Sequence, residues 1–458
     1  MAQVDGGLSE TTAYMLEQLI KRLPLYQLYL QYYEGRHRLA YATERYRTVF
    51  GLVFRTFADN LCAKVVRAHA ARMEILGFKS ELGEEVPDQV WELWARNRMG
   101  RISQIVHREA LLSGDAYLIV WPTDDGVRFY PNRASEMSVL YNEDGEIEQA
   151  IKFWSDPVRK RRYLTVYTAE SIMKYEAPFA QGAGESLSGV VRLSDFVPRI
   201  VEGEPWPLPV PDVGQVPVFH FPTDSDSGEL GHSVLRDIIP LQDALNKAVM
   251  DLLIAMEYVS LPQRWVAGIE VDLGPNGEPI PPFTPGVERV WSVASPDVKF
   301  GQFEPADLSQ FLGVQESLRR EIARVAEIPS YYMLSEEREV PSGEAMKTAE
   351  EMFTSVIRSR QEFWGDIWEA VMELALRFMG ERAPLLSAVW KDPVPRSEKV
   401  MAEVAVMKRE LGISLVQILR ELGYSPEEIE QIIKERAAES VSASDFEQKL
   451  LEEMIGEG

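Results

Sequence analysis

The chain has 458 residues, of which 45% are hydrophobic and 26% charged, and its formal net charge is −24. This length allows about two to four domains with buried cores. The acidic balance argues against tight binding of nucleic acid, because such binding needs clustered Lys and Arg side chains that release counterions from phosphates. The single cysteine, Cys62, excludes an internal disulfide and favours a reducing cytosol. No apolar stretch is long enough to span a bilayer, so we expect no membrane contact.

The N-terminal part of the chain is predicted to be helical. Apolar residues recur every three or four positions over residues 9–33, 45–72 and 86–112, and the last range fits one or two helices. Four tyrosines follow the same period in the first helix, which favours a place in the core or at a subunit contact: Tyr26, Tyr29, Tyr32 and Tyr33.

Beyond residue 115 the apolar residues alternate with polar ones, as in strands that have one buried face. Asn142–Gly145 predicts a hairpin turn, and the Pro-rich residues 202–217 predict an irregular connector. The basic residues Arg159–Arg162 fall in a further hairpin, either as an exposed turn or as a contact with DNA or an acidic partner. Helices followed by an antiparallel meander indicate an α+β domain. Its strands are predicted at residues 116–121, 127–130, 138–141, 147–154, 163–167, 171–175 and 218–221.

A helix with a proline near its start opens the second half of the chain. Ser233 is predicted to cap a helix that begins at Val234. Pro240 would kink that helix or restart it at a new first turn, and apolar residues continue along one side to Val259. A second helix is predicted over residues 306–327 because Pro329 would stop it.

A Pro/Gly-rich insert separates these two helices. Strand candidates lie at residues 263–267 and 287–293, and the turn between them begins at Gly274. A short charged loop, residues 335–341, follows the second helix. Its setting, between the helix–insert–helix unit and a long helix, favours a functional role over that of an ordinary surface loop.

The longest predicted helix follows Pro341. Ser342 would be its N-cap and Gly380 its stop. A helix of about 37 residues is roughly 55 Å long, enough to cross a domain or to bridge two. Two or three shorter helices are predicted over residues 397–437, ahead of an acidic tail.

Motifs for catalysis or metal binding are absent from the sequence. It contains no GxxxxGK[ST] phosphate loop, no GxGxxG after a strand, no HExxH and no GxSxG. The five histidines have no His or Cys partner at metal-ligand spacing. We therefore predict that the protein is not an enzyme and uses no cofactor and no metal. Acidic residues are so numerous that no single pair indicates a catalytic site, and a carboxylate-dependent hydrolase remains an alternative.

Short motifs are spread over most of the chain: Tyr32–Leu39, Ser113–Leu118, Gly214–Val218, Leu241–Lys247, Ile328–Pro329 with Tyr331–Tyr332, and Pro341–Ala345. Each motif alone is weak, whereas their order and spacing together are fairly specific. On these residues the chain resembles the portal proteins of tailed phages, the ring-shaped connectors between head and tail, of the type with a long non-contractile tail.

The resemblance implies a portal fold of the α+β class that assembles as a ring. The parts would be an α+β wing (residues 1–232), a helical stem (233–260 and 306–328), a small α/β clip (261–305), a tunnel loop (329–342), a long spine helix (343–380), and a helical crown with an acidic tail (381–458).

The resemblance also implies a function and a set of partners. In the family, twelve copies form a ring at one capsid vertex of the virion, through which the terminase packages double-stranded DNA and through which the DNA is later ejected. The ring also nucleates the procapsid and joins head to tail. Expected partners are therefore other copies of the chain, DNA without sequence specificity, the terminase large subunit, major capsid and scaffolding proteins, and a head–tail adaptor. Assembly would take place in the host cytoplasm, and another phage head or adaptor protein is the nearer alternative.

Three groups of candidate site residues follow from the resemblance. The tunnel loop would face the channel and touch DNA through Ser335, Glu336, Glu337, Arg338, Glu339 and Val340. The stem would present basic residues to the channel or to neighbouring subunits: Lys247, Arg319, Arg320 and Arg324. The clip would contact terminase or other subunits through Arg264, Trp265, Glu288, Arg289, Trp291 and Lys299. An acidic chain with isolated basic residues suits sliding DNA, because each captured phosphate raises the barrier to the next step.

Overall fold

The computed structural model divides the chain into two compact units. The first comprises residues 1–26, 66–233 and 350–458, and the second comprises residues 27–65 and 234–349. Within them the structure describes residues 8–37, 59–80, 86–179, 193–211, 214–225, 229–260, 264–268, 274–278, 297–302, 307–333, 343–382, 384–394, 398–422 and 428–436.

The helices described in the N-terminal part are α1 (Glu10–Tyr33), α2 (Cys62–Ala70), α3 (Asp88–Arg96) and α4 (Met99–Ser113). Ser9 caps α1, since its hydroxyl accepts a hydrogen bond from the Thr12 amide at 3.1 Å. The predicted region 86–112 is split into two helices because Arg98, between them, has a left-handed φ of 55°. Three tyrosines of the predicted stripe are buried, as expected for core positions: Tyr26, Tyr29 and Tyr32.

The helix predicted over residues 45–72 is wrong at residues 59–61, which are not helical, and its part before them lies outside the described residues. Leu61 donates its backbone N–H to the Gln242 side chain at 2.9 Å. This bond takes the place of the local bond that a continuous helix would need there, so α2 begins at Cys62. The Cys62 side chain is buried, and burial raises the pKa of its thiol to about 12.

The described strands are β1 (Ile75–Ser80), β2 (Asp115–Thr123), β3 (Gly126–Arg133), β4 (Met137–Tyr141), β5 (Ile147–Asp156), β6 (Arg161–Tyr167), β7 (Ser171–Pro178), β8 (Val197–Pro198), β9 (Leu208–Pro209), β10 (Val218–Pro222), β11 (Arg264–Ala267), β12 (Lys299–Gln302) and β13 (Leu386–Trp390). In the first unit, β10–β2–β3 form one antiparallel sheet and β4–β5–β6–β7–β8 form a larger one, in which β9 also pairs with β7. All strands predicted between residues 116 and 221 are confirmed, with ends that move by one to three residues at most.

The hairpin predicted at Asn142–Gly145 joins β4 and β5. The Asn142 side chain accepts hydrogen bonds from the Asp144 and Glu146 amides at 3.0 and 2.8 Å. An Asn side chain that replaces a backbone acceptor in this way stabilises a tight turn.

A small sheet of β1 and β13 was not predicted. Its antiparallel register places Ser80 opposite Leu386 and Ile75 opposite Trp390. The sheet joins the N-terminal part of the first unit to the segment that follows the long helix, which is the segment predicted as the start of the crown.

The helices described in the second half are α5 (Ile239–Ser260), α6 (Ser309–Val325), α7 (Gly343–Phe378), α8 (Glu398–Glu410) and α9 (Leu415–Glu421). Residues 428–436 are also helical, so the prediction of two or three helices over 397–437 is confirmed. Helices α5 and α6 pack against each other in the second unit. None of the described helices combines the length and the apolar character needed to cross a membrane.

The predicted start of the first stem helix is wrong. Residues 234–238 form turns, and α5 begins at Ile239. Ser233 does not cap the helix, because its hydroxyl donates to the Leu112 carbonyl at 2.6 Å. Pro240 lies in the first turn of α5, where the missing N–H has no intrahelical acceptor, which confirms the predicted restart.

Helix α7 confirms the prediction of one long helix. It has 36 residues and is followed by Gly380, whose φ of 77° is the left-handed conformation of a helix stop. Its inward face carries the fully buried indoles of Trp364 and Trp368. His107 of α4 stacks on Trp364 with ring centroids 5.0 Å apart and accepts a hydrogen bond from Trp368 Nε1 at 2.9 Å. These contacts pack α4 and α7 together in the core of the first unit.

Candidate functional site

The four basic residues predicted on the stem helices all have an acidic partner in the same chain. The pairs are Lys247–Asp251, Arg319–Asp59, Arg320–Glu316 and Arg324–Glu321. The structure therefore compensates each stem cation within the protomer.

Helical spacing produces three of these pairs. Lys247 and Asp251 are four residues apart on α5, as are Glu316 and Arg320 on α6, where the nitrogen–oxygen distance is 3.0 Å. Glu321 and Arg324 are three residues apart. The hydrogen bond from Arg324 lowers the pKa of Glu321, and the same bond raises the pKa of Arg324, so both groups stay charged.

The acidic partners were not singled out in the sequence. The spacing along α5 and α6 is a signal that could have identified Asp251, Glu316 and Glu321. Asp59 could not have been identified in this way, because it is remote from Arg319 in the sequence and only the fold brings them together.

A buried polar network lies at the start of α5. Gln242 is fully buried and uses both ends of its amide. Its Oε1 accepts from the Leu61 amide at 2.9 Å, and its Nε2 donates to the Asp59 carbonyl at 2.6 Å and to Asn246 Oδ1 at 3.2 Å. Asn246 Nδ2 in turn lies 2.8 Å from His37 Nε2. Two motifs of the resemblance, the one from Tyr32 and the one from Leu241, thus meet in one network.

The network sets the protonation state of His37. The Leu61 amide can only donate, which fixes the orientation of the Gln242 amide and then that of Asn246. Nε2 of His37 faces the Asn246 amide nitrogen and must therefore act as an acceptor, so the ring is neutral. Burial lowers the pKa of His37, in agreement with this state. Tyr32 stacks on the ring with centroids 4.1 Å apart.

Replacing Gln242 with Leu is expected to lower the free energy of unfolding by about 1–3 kcal/mol. The substitution keeps the volume but leaves the buried Leu61 amide and Asp59 carbonyl without a partner. Gln310, exposed at the start of α6, provides the matched control, and Gln310→Leu should change stability by less than about 0.5 kcal/mol. Urea unfolding followed by circular dichroism measures both variants. Equal stabilities of the two variants would contradict the role given to the network.

The described part of the segment predicted as the clip is an antiparallel pair of strands. β11 confirms the first predicted strand, and it pairs with β12. The indole of Trp265 is 39% exposed and covers Gly301, where any Cβ would collide with it. Lys299 is exposed on β12, and Arg264 begins β11. A turn at residues 274–278 is closed by the Gly274 amide bonded to the Glu278 carbonyl at 2.8 Å, as the Gly/Pro pattern predicts.

Several predicted residues lie outside the described residues. In the predicted clip these are the second predicted strand, 287–293, and with it Glu288, Arg289 and Trp291. The predicted N-cap Ser342 and the whole charged part of the tunnel loop also lie outside them: Ser335, Glu336, Glu337, Arg338, Glu339 and Val340. Their roles stay predictions.

The basic run in the hairpin between β5 and β6 is not a continuous basic surface. Arg159 pairs with Asp156 at 3.2 Å, and Arg161 pairs with Glu176 at 3.4 Å. The Arg162 side chain is buried. These partners favour the interpretation as a turn over the interpretation as a contact for DNA.

A buried carboxylate organises the motif at Ser113–Leu118 in the first unit. Asp115 is fully buried and accepts hydrogen bonds from the Gly231 amide at 2.6 Å and from His220 Nε2 at 2.9 Å. Its other oxygen accepts from Tyr26 and Arg22, both at 3.1 Å. Because every lone-pair direction of the carboxylate is engaged and the carboxylate itself is closed to solvent, its geometry suits a structural role and not substrate binding.

Neighbouring glycines make the approach to Asp115 possible. Gly114 has a φ of 94°, and a Cβ there would lie 2.7 Å from the Gly231 carbonyl oxygen. Only glycine allows both the left-handed conformation and this close backbone contact. No cluster of His, Cys, Asp and Glu in the described part of the chain could hold a metal ion.

The chain is similar over most of its length to proteins that are already known. It is 22% identical over 418 residues to the portal protein of Mycobacterium phage D29, which covers 86% of this chain and 82% of that protein. It is also 22% identical over 402 residues to the portal protein of Mycobacterium phage L5, and this match covers 79% of this chain and 75% of that protein. Among solved structures, a chain from the virion of a native gene transfer agent particle aligns with a TM-score of 0.46 and 13% identity, covering 89% of this chain and 99% of that one. The model of the family described as phage portal protein, SPP1 Gp6-like, matches residues 13–442, and the chain therefore belongs to that family.

Proposed function

We propose that the protein is the subunit of a portal ring, a channel at one capsid vertex through which double-stranded DNA is packaged by the terminase and later ejected. The ring would contain twelve copies, nucleate procapsid assembly, and join the head to the tail through an adaptor. The observation that carries the proposal beyond family membership is the pairing of all four predicted stem cations with carboxylates of the same chain.

This pairing suits a channel that must let DNA slide. A free Arg or Lys gains affinity by releasing counterions from a phosphate, and that affinity raises the barrier to the next step along the duplex. Paired cations offer a phosphate little net attraction, because it would have to compete with a carboxylate that is already bound. Exposed ion pairs are worth only about 0.2–1 kcal/mol. Pairing therefore weakens the attraction between the stem and DNA without turning it into strong repulsion.

Removing the acidic partners should therefore make the ring bind DNA more tightly. In the double variant Asp251→Asn, Glu316→Gln the cations Lys247 and Arg320 lose their partners. We expect higher affinity for a duplex and a steeper salt dependence, by about 0.9 in the logarithmic slope for each cation that reaches a phosphate. Fluorescence anisotropy of a labelled duplex between low and moderate salt measures both quantities.

A matched control removes an equivalent ion pair elsewhere. Glu430 and Lys434 form a four-residue-spaced pair in the C-terminal helical residues 428–436, and Glu430→Gln frees Lys434. This variant should leave affinity and salt slope at the wild-type values. Unchanged DNA binding in the stem variant, or an equal gain in the control, would argue against stem helices that face the DNA.

The tunnel loop and the clip are proposed as the other functional surfaces. Residues 335–340 would touch the moving duplex, and the exposed Trp265 and Lys299 would belong to the clip surface that meets the terminase or a neighbouring subunit. Packaging assays on loop substitutions test the first role, which unchanged packaging and DNA retention would contradict. Terminase pull-down with a Trp265→Ala ring tests the second, which undiminished binding and unchanged ring assembly would contradict.

Negative-stain images of the purified protein test the proposed assembly directly. Rings with a central hole would support the portal. Compact particles without a hole would overturn it and favour another head protein or a hydrolase.

A further inference from the structure

An arginine ridge runs along the outer side of α4. It consists of Arg98, which precedes the helix, and of Arg101 and Arg108 one and three turns further on, with Ile105 between them. The three arginines are exposed, and within the described part of the chain none of them has an acidic partner. In a protein with a net charge of −24, such a group of uncompensated cations is suited to bind an acidic surface outside the protomer.

An acidic stripe runs along the outer side of α7, and the one arginine within it, Arg358, pairs with Asp392 at 3.5 Å. Glu351, Glu362 and Asp366 are exposed there, and none has a basic partner among the residues that the structure describes. Met352 and Phe363 lie beside them, with 62% and 43% of their surface exposed. Apolar side chains on a helix face that nothing covers, flanked by unpaired charges, are typical of a protein contact surface.

The ridge and the stripe both lie off the faces through which α4 and α7 pack together in the first unit. The inner sides of α4 and α7 are packed together through His107, Trp364 and Trp368. Arg108 and Arg101 lie about 100° and about 120° around α4 from His107, and Glu362 and Asp366 lie about 120–160° around α7 from the two indoles. Among the residues that the structure describes, no ion pair joins the two charged surfaces within one protomer.

We infer that the arginine ridge of one copy docks on the acidic stripe of the next copy around the ring. Two different, complementary surfaces on one packed helix pair are what a head-to-tail interface requires, and such interfaces generate rings when the rotation closes. The surfaces match in charge and approximately in length, since the ridge extends about 15 Å and the stripe about 22 Å. Met352 and Phe363 would supply the apolar part of the contact, with the charges setting the register. This inference rests on the proposed function, because it takes the partner to be a second copy of the chain.

Charge reversal with a mixing step tests the interface. One variant carries Arg101→Glu and Arg108→Glu, and the other carries Glu362→Lys and Asp366→Lys. Each alone would place like charges across the interface, and we expect the concentration at which half the protein is in rings to rise by at least about tenfold, measured by native mass spectrometry and negative stain. Circular dichroism spectra should match the wild type, because all four positions are exposed.

Mixing the two variants should restore the rings. In an alternating ring each acidic ridge meets a basic stripe and each native ridge meets a native stripe, so every interface is again complementary. A ring with an even number of copies, such as twelve, can close in this way. Rings that form as readily in either single variant as in the wild type, or a mixture that fails to assemble, would overturn the inference while the wild-type rings still support the portal. Absence of rings in the wild type would instead overturn the proposed function.

Discussion

Replacing Asp115 with Ala is expected to lower the free energy of unfolding by about 3–5 kcal/mol. The carboxylate is fully buried and accepts hydrogen bonds from two side chains of α1, from His220 and from the Gly231 amide. Its removal leaves the Arg22 charge without its partner and leaves three further buried donors unsatisfied. Urea unfolding followed by circular dichroism measures the loss.

Two further variants make the Asp115 prediction specific. Asp115→Asn keeps the shape but removes the charge and turns one acceptor into a donor, so a smaller loss of about 1–3 kcal/mol is expected. Asp125, exposed in the turn between β2 and β3, is the matched control, and Asp125→Ala should change stability by less than about 0.5 kcal/mol. If Asp115→Ala were as stable as Asp125→Ala, the cluster would not hold the fold together in the way described.

The Asp115 cluster also explains why one weak motif is informative. In Ser113–Leu118, Gly114 ends α4 with a left-handed φ, Asp115 begins β2, and both contact the backbone of Gly231. The requirement is geometric: a helix must turn into a strand while another segment passes at close range. From the sequence alone the motif is only a Gly–Asp dipeptide, because its partner at Gly231 is more than a hundred residues away.

Elements with a clear period were predictable from the sequence. Helices α1 and α7 and the meander from β2 to β7 follow from apolar spacing and from turn residues, which are local signals. The sheet of β1 and β13 was not predictable, since Ile75–Ser80 contains a glycine, shows no regular alternation, and pairs with a strand that lies far along the chain, at residues 386–390. Similarly, the start of α5 was misplaced because Ser233 donates to the distant Leu112 carbonyl instead of capping.

The residues of the candidate site were likewise predictable only where the signal in the sequence is local. The stem cations could be named from the sequence and the resemblance, and three of their partners lie within one helical turn. Asp59 and Arg319 are brought together only by the fold. The same is true of Gln242 and its hydrogen-bond partners Asp59 and Leu61. Local charge spacing can thus suggest that a cation is compensated, whereas long-range compensation becomes visible only in three dimensions.

Acid should destabilise the first unit through His107. The ring is completely buried, and Trp368 Nε1, which can only donate, lies 2.9 Å from Nε2. Nε2 must therefore accept, and Nδ1 carries the proton and donates to the Met73 carbonyl at 2.9 Å. A second proton would have to sit on Nε2, against the indole N–H. Burial accordingly lowers the pKa of His107 to about 3.

The sign of the pH effect follows from the two states. In the unfolded chain a histidine has a pKa of about 6.5, so between about pH 6.5 and pH 3 the unfolded state binds a proton that the folded state does not. The His107 contribution to stability is complete above the unfolded pKa and falls as the pH drops through this window, by up to about 1.4 kcal/mol per pH unit. The loss of stability is best measured near pH 5, because most surface carboxylates are still ionised there.

The variant His107→Gln isolates this contribution. Its amide can accept from Trp368 and donate to Met73 without titrating, so unfolding free energies measured from pH 7 to pH 4.5 should fall less steeply than those of the wild type. Fluorescence reports the change locally, because Trp364, Trp368 and Trp390 all lie within 6 Å of the His107 ring, centroid to centroid. His232 is exposed, and His232→Gln should retain the wild-type slope. Parallel pH profiles for the wild type and His107→Gln would show that the buried ring is not what couples proton binding to the packing of α4 against α7.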